Sequence, residues 1–326
     1  MVTVARRFTA VLHVVLVIGT TLLATAGCAP AFSPEHPLAI RVIVGPDLDT
    51  LPLRHGIERG YFAAEGLTVT TIPEPDPYTG LHTLVDGGAD IAFGGGTVVV
   101  EAAYRGLDVK ILAEAGWLGD RAAAIVVRGD GTIPDLAALA GHTIGAPSPG
   151  SQDRILAHAR LDNDSGAVPS DHVQWVPMDP PDHTASRLAH KDADAVVLRE
   201  PWLTDAIHAH GFTALAYLSD TSLLHPTSTY VATTAWAEQH PGAVTAYQRA
   251  LHQAARDLRT DRAALNALAV RHLRITPDTA ARLGIPLYPT HGPSVSQLQR
   301  IPNLMHRYGI LAEPYRIAAL VVSPDP

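Results

Sequence analysis

Two hydrophobic periods alternate along this chain. Short unbroken apolar runs, the pattern of strands buried on both faces, are separated by segments whose apolar residues recur every third or fourth position, the pattern of amphipathic helices. The sharpest instance runs from Leu81 to Ala103. Leu81, Leu84 and Val85 have helical spacing, and Gly87 and Gly88 accept the left-handed conformation that closes a helix. Ala89 to Phe93 reads as a buried strand, Gly94-Gly95-Gly96 as a sharp turn, and Thr97 as the cap of a second helix through Glu101 and Ala103. Such a turn presents bare amide groups and the positive end of a helix dipole beyond the strand's carboxyl end. The stretch therefore predicts half of a ligand cleft.

The alternation extends in both directions. Leu38 to Val44 is a first strand halted by Gly45-Pro46, and the loop Asp47-Leu48-Asp49-Thr50 leads into a helix carrying Leu53, Ile57 and Tyr61. Leu67 to Ile72 and Val109 to Ala113 are further strands. Near Ala122 to Arg128, another apolar strand, the pattern starts afresh with a helix capped by Thr132, opened by Pro134 and closed by Gly141. Strands follow at Thr143 to Ala146, Val173 to Val176, Ala195 to Leu198 and Thr213 to Tyr217, with helices at Gln152 to Leu161, Thr184 to Ala189 and Trp202 to His210 between them. Alternation at this pitch predicts mostly parallel sheets. Leu84 and Ala89-Asp90 recur at the same spacing as Leu188 and Ala193-Asp194, marking equivalent helix-to-strand joints in two similar lobes. Thr227 to Thr233 is expected to return to the first lobe. Beyond it the chain reads as helical, over Pro241 to Leu258, Asp261 to Leu273, Pro277 to Leu283 and Ser294 to Tyr308.

Size and charge narrow the class. A chain of 326 residues suits two compact lobes, and 47% hydrophobic against 17% charged residues describes a globular body with a large core. The net charge of -8, without any basic stripe, argues against nucleic acid as a partner. At the N-terminus, Arg6 and Arg7 precede an apolar segment from Phe8 to Ala24, then Thr25-Ala26-Gly27 and the only cysteine, Cys28. This is the pattern of a secretory leader, and the single thiol after Ala-Gly resembles the lipobox of bacterial lipoproteins. That resemblance implies a signal peptide over 1–27 and lipidation at Cys28. Residues 28–37, with Pro30, Pro34 and Pro37, read as a tether. One cysteine leaves no intramolecular disulfide.

Four motifs occur in order along the body: Arg59-Gly60-Tyr61-Phe62 with Glu65-Gly66-Leu67; Gly88-Ala89-Asp90-Ile91-Ala92; Asp135-Leu136 with Leu139-Ala140-Gly141-His142-Thr143-Ile144-Gly145; and Asp194-Ala195-Val196-Val197 before Glu200-Pro201. Together, from about Leu38 to the late two-hundreds, they resemble the solute-binding proteins of ABC importers for aliphatic sulfonates, taurine, nitrate and thiamine-precursor pyrimidines. The resemblance implies an α/β protein of the type II periplasmic-binding-protein fold, with two doubly wound lobes and two crossover segments, near Val127 to Asp130 and Leu224 to Thr229. Lobe 1 would then comprise 38–128 plus 226–326, and lobe 2 would comprise 129–225. It further implies a monomer without cofactor that traps one small organic solute, a sulfonate or taurine-like anion or a thiamine-precursor pyrimidine, by hinge closure. The cargo would pass to an ABC permease, with the lipid anchor holding the protein at the extracytoplasmic face of the cell membrane.

In open α/β sheets, ligands bind beyond the carboxyl ends of the strands. That rule selects Asp47 and Asp49, then Gly95, Gly96 and Thr97, then Trp117. In the second lobe it selects Ser148, Gly150, Ser151 and Gln152, then Met178, then Glu200; Tyr78 joins them as an aromatic beside the cleft. Helix N-termini at Thr97 and Ser151 suit an anionic group clamped from opposite lobes, whereas Asp47 and Asp49 repel an anion and are natural acceptors for an amine or a pyrimidine. Plain capping by Thr97 and Ser151, and exposed turn aspartates, are the alternatives, so the cargo's charge stays open. Seventeen histidines raise metal binding, but His208 and His210, two apart on a helix, point to different sides, and no metal site is expected. No zinc-protease, nucleophile-elbow or phosphate-loop motif is present, and a thiol mechanism is excluded when the one cysteine lies in the leader. An enzyme of the menaquinone- or pyrimidine-pathway type on the same fold, and a surface sensor without transport, are the alternative readings.

Overall fold

A computed structural model describes residues 37–164, 167–178, 183–219 and 225–322, all within the contact-dense unit Phe32–Pro326. The leader, Cys28 and most of the tether lie outside the described residues, as do Asp179 and Leu224. In chain order the strands are β1 (Leu38–Val44), β2 (Leu67–Pro73), β3 (Ile91–Gly95), β4 (Lys110–Trp117), β5 (Ala123–Val127), β6 (Thr143–Ala146), β7 (Gln174–Pro177), β8 (Ala195–Arg199), β9 (Thr213–Tyr217) and β10 (Pro226–Ala232). The helices are α1 (Leu51–Glu58), α2 (Tyr61–Ala64), α3 (Pro77–Val85), α4 (Gly96–Tyr104), α5 (Gln152–Asn163), α6 (Thr184–Ala189) and α7 (Trp202–Ala209). After β10 come α8 (Thr234–Gln239), α9 (Pro241–Thr260), α10 (Arg262–Leu273), α11 (Pro277–Arg282), α12 (Val295–Leu298) and α13 (Arg300–Arg307).

The strands form two five-stranded sheets of one design, ordered β2-β1-β3-β10-β4 and β7-β6-β8-β5-β9. In each, three consecutive strands run parallel. A strand from elsewhere in the chain then enters antiparallel to both its neighbours: β10 between β3 and β4, β5 between β8 and β9. Four of the five strands in each sheet therefore run the same way, as expected of mostly parallel sheets, and the one reversed strand, whose direction an apolar run does not encode, makes each sheet mixed. β5 belongs to the second sheet, so the first crossing falls between Trp117 and Ala123 rather than near Val127 to Asp130. β10 returns to the first sheet as expected.

Several helices end where the sequence placed their stops. After α3, Gly87 takes φ +78° and donates to Leu84 O while Gly88 donates to Thr83 O, the paired bonds that satisfy the last carbonyls of a helix. The helix expected through Leu53, Ile57 and Tyr61 is instead two, α1 and α2, broken at Gly60 with φ +75°. The helix expected between Thr132 and Gly141 shrinks to a 3-10 turn, Ala137–Leu139. Neighbouring segments claim its backbone: Val168 donates to Leu136 O, and Gly141 donates to His172 O. The last predicted helix, Ser294 to Tyr308, divides into α12 and α13.

On one face of the first sheet, α9 buries Tyr247 against Phe62 and Tyr230, with ring centroids 5.3 Å and 5.6 Å apart. The opposite faces meet through α13, whose Ile301, Leu304 and Met305 join the apolar cluster shared by α4 and α5. Burying each such side chain is worth about 1.5–3 kcal/mol. The C-terminal helices therefore brace both halves of the body.

Candidate ligand cleft

Between the two sheets lies a cleft of about 910 Å³, lined from both sides. The first sheet contributes the loop after β1, the end of β3 and the start of β10. The second contributes the N-terminus of α5 and the end of β8, and the connection from α10 to α11 closes one edge.

Asp47 sits at the cleft wall as the cap of a 3-10 turn, its Oδ1 accepting the Asp49 amide at 2.9 Å. Its other oxygen faces Arg199, at the end of β8, at 3.5 Å, so the two halves touch across the cleft through opposite charges. Arg199 also faces Asp153, in the first turn of α5, at 4.0 Å. Burial alone would lower the arginine's pKa, but Asp47, Asp153 and Asp49 outweigh it and hold the guanidinium firmly charged. Asp153 titrates above the usual carboxylate range because burial raises it and Asp47 adds to that, while Arg199 opposes.

Asp49 lies one layer deeper, 1% exposed. Its Oδ2 accepts the hydroxyls of Thr227 and Ser228 at 2.7 Å and 2.5 Å, and its Oδ1 is buried without a partner among the described residues. Burial first, and Asp47 second, push its pKa up to about 6, against Arg199 and the two hydroxyls. Gly116 on β4 makes room for it: a Cβ there would stand 2.2 Å from the Asp49 carboxyl carbon.

The glycine stretch serves differently from expectation. None of Gly94, Gly95 and Gly96 has a positive φ. A Cβ at Gly96 would meet Ile301 at 2.6 Å, so this glycine admits α13, whereas at Gly95 the nearest atom is 4.0 Å away, on the side that lines the cleft. Thr97 does not cap α4: Gly95 holds that position, and Thr97 lies in the first turn, 2% exposed and lining the cleft. Ser151 does cap α5, accepting the Arg154 amide at 3.3 Å. Gln152 donates to Pro226 O at 3.2 Å across the two halves, while its buried Oε1 has no partner among the described residues. Glu200 lines the cleft with its carboxylate committed, accepting Thr204 N, Thr204 Oγ1 and Gly284 N at 3.1, 2.8 and 2.8 Å.

The remaining selected residues lie off the cleft lining. Met178 is fully buried, its sulfur 2.4 Å from where a Gly145 Cβ would be, within the apolar cluster of the second sheet. Trp117 ends β4 rather than occupying a loop, its Nε1 bonded to Glu114 and its ring edge-on to His291. Tyr78 donates to Glu101 at 2.6 Å on the surface. Ser148 is exposed, and Gly150 faces Glu101 at the seam between the halves. Arg199 belongs to the strand end that the sequence marks together with Glu200 but was not itself selected, and Asp153, Thr227 and Ser228 were passed over. Among the described residues, no group of three or more His, Cys, Asp or Glu side chains gathers in metal-ligating geometry, and no helix is long and apolar enough to cross a membrane.

Two mixed α/β sheets of one order, exchanging a strand and enclosing a cleft, define a periplasmic-binding-protein fold. Residues 48–262, well over half of the chain, match the NMT1/THI5 like family, and the chain belongs to that family. The structure is similar to that of the periplasmic aliphatic sulphonate binding protein SsuA from Escherichia coli, at 17% identity and a TM-score of 0.74, covering 87% of this chain and 97% of that one. It is similar to the periplasmic nitrate-binding protein NrtA from Synechocystis PCC 6803, at 16% identity and 0.70, over 84% and 82%. The desulfurization enzyme DSZB shares the fold at 19% identity and 0.68, over 87% and 96%. By sequence, no curated protein matches the chain.

Proposed function

We propose that this protein is the extracytoplasmic solute-binding component of an ABC importer, monomeric, lipid-anchored at Cys28, and that it closes over one small organic solute. The observation that carries the reading is the cleft of about 910 Å³ whose opposite walls come from the two sheets and meet through Asp47 and Arg199. A ligand favouring the closed arrangement shifts the population toward it, which is the physical content of capture by hinge closure. Between β4 and β5 the chain passes from the first sheet to the second, and that segment serves as a hinge. The periplasmic sulphonate-binding and nitrate-binding proteins of like fold support a solute-binding role. With Cys28 the single cysteine of the sequence, the cleft lining carries no thiol for a cysteine-nucleophile mechanism. The cleft-lining carboxylate Glu200, moreover, is saturated by the protein's own donors.

Thermal unfolding of the full-length protein in detergent, screened against sulfonates, taurine, nitrate and pyrimidines, should show a raised Tm with one chemical class, and small-angle scattering should show compaction with the same class. Thr97→Trp or Ser151→Trp should abolish both responses; an undiminished response would place the site elsewhere. Replacement of Cys28 by alanine should move the protein from the membrane fraction to the soluble one.

A further inference from the structure

We propose that the cleft selects a solute bearing a protonated nitrogen, an amine or an amidine, seated between Asp47 and Asp153, and turns away simple anions. This rests on the solute-binding reading above and names the chemistry of its cargo.

The charges facing the cleft are unequal. Asp47 and Asp153 share one cation, Arg199, at 3.5 Å and 4.0 Å. Charge-assisted bonds close to about 2.7–2.9 Å when a pair is committed. Both contacts are looser, so each carboxylate keeps capacity for a further donor. Asp49 stands behind them as a third carboxylate in the same field, buried and with one oxygen unpartnered.

The neutral groups point the same way. Ser228 and Thr227 line the cleft, but their hydroxyl hydrogens go to Asp49, which leaves their lone pairs for the solute. The Gln152 side chain spends an N–H on Pro226 O and keeps a buried Oε1 unpaired at the cleft wall. The wall is thus rich in acceptors, and an unpaired buried acceptor is costly until a donor arrives. An ammonium or amidinium group supplies several N–H donors and one positive charge at once.

Two influences oppose this: Arg274, on the connection from α10 to α11, lines the cleft edge, where Glu74 and Asp205 add two carboxylates against it, and the N-terminus of α4, whose first turn carries no acidic residue, lines the cleft at Thr97. A helix terminus amounts to roughly half an elementary charge. That does not offset two full carboxylates sharing a single arginine. The corresponding terminus of α5 is already occupied by Asp153 in its first turn.

Matched series decide the matter: propylamine, butane-1,4-diamine and acetamidine against propanesulfonate and nitrate, measured by calorimetry and thermal shift on the full-length protein, with Asp47→Asn and Asp153→Asn as near-isosteric variants and Glu313→Gln, at an exposed carboxylate outside the cleft lining, as the control. The expected result is binding of the nitrogen bases alone, at least tenfold weaker in each Asn variant and unchanged in the control. Binding of sulfonate or nitrate without the bases overturns the charge assignment and leaves solute capture standing. Bases that bind equally well to both Asn variants overturn the seat. If neither series binds or compacts the protein, solute capture itself fails and this inference with it.

Discussion

Asp49 shows how one residue type at a strand end divides into two roles. Asp47 and Asp49 occupy the same loop, yet Asp47 reaches the cleft while Asp49 is folded inward onto Thr227 and Ser228. Its pKa, pushed up to about 6 mainly by burial and then by Asp47, lies above that of an unfolded aspartate. The folded state therefore binds the proton more tightly. The resulting stabilisation is complete below the ordinary carboxylate range and is lost as pH rises through about 6. Asp49→Asn keeps an acceptor for both hydroxyls and carries no charge. Relative to the parent, the variant should be near parity in thermal unfolding at pH 4.5 and gain on the order of 2 kcal/mol by pH 8; a difference flat across that range would mean that Asp49 does not titrate there. The two aspartates were legible in the sequence as strand-end carboxylates. Their division was not, because it depends on Gly116 and Ser228, which arrive from two other strands.

At the scale of elements, the short echo in the sequence proves to be a repeated joint. Asp90 accepts the Arg41 amide at 2.7 Å and returns its own amide to Arg41 O; Asp194 does the same with Thr143, accepting at 3.0 Å. Each aspartate thereby locks the entry of the third of its sheet's three consecutive parallel strands onto the first, β3 onto β1 and β8 onto β6. The structure legible in advance was local: an aspartate before an apolar run, glycines at helix ends, and caps such as Ser151 are written in neighbouring residues. Strand direction, the 3-10 turn at Ala137–Leu139 and the displaced crossing depend on partners distant in sequence. Burial raises the pKa of Asp194, but hydrogen bonds from Thr143 and His142 outweigh it and hold the group below the usual carboxylate range. Its contribution is thus present above that range and lost as pH falls through the depressed value. Asp194→Ala should cost about 1–3 kcal/mol in chemical unfolding at pH 7, and Asp194→Asn distinctly less, because the amide oxygen still accepts from Thr143. Equal losses for the two variants would count against the joint.

For the whole molecule, what matters is how strongly the halves hold together without cargo. Arg199 meets Asp47 from the other half, and next to it Asp153 from its own. Removing the cation therefore does more than delete an attraction. Two carboxylates are left facing each other across the cleft, and at an effective dielectric appropriate to a partly wet site that repulsion adds to the lost pair. Because Arg199 remains partly open to solvent, the combined effect is on the order of 1–2 kcal/mol. A change of that size shifts an open-to-closed ratio roughly five- to thirtyfold. Arg199→Met should therefore enlarge the radius of gyration of the ligand-free protein in small-angle scattering. Adding Asp47→Asn should restore much of the compaction, since the second substitution removes the repulsion the first exposed. Concentrated salt should loosen the parent in the same direction but not the double variant. The non-additivity separates a latch from ordinary packing: if the two substitutions simply add, or if Arg199→Met leaves the scattering unchanged, the halves are held by the apolar brace of α13 on α4 and α5 and not by charge across the cleft.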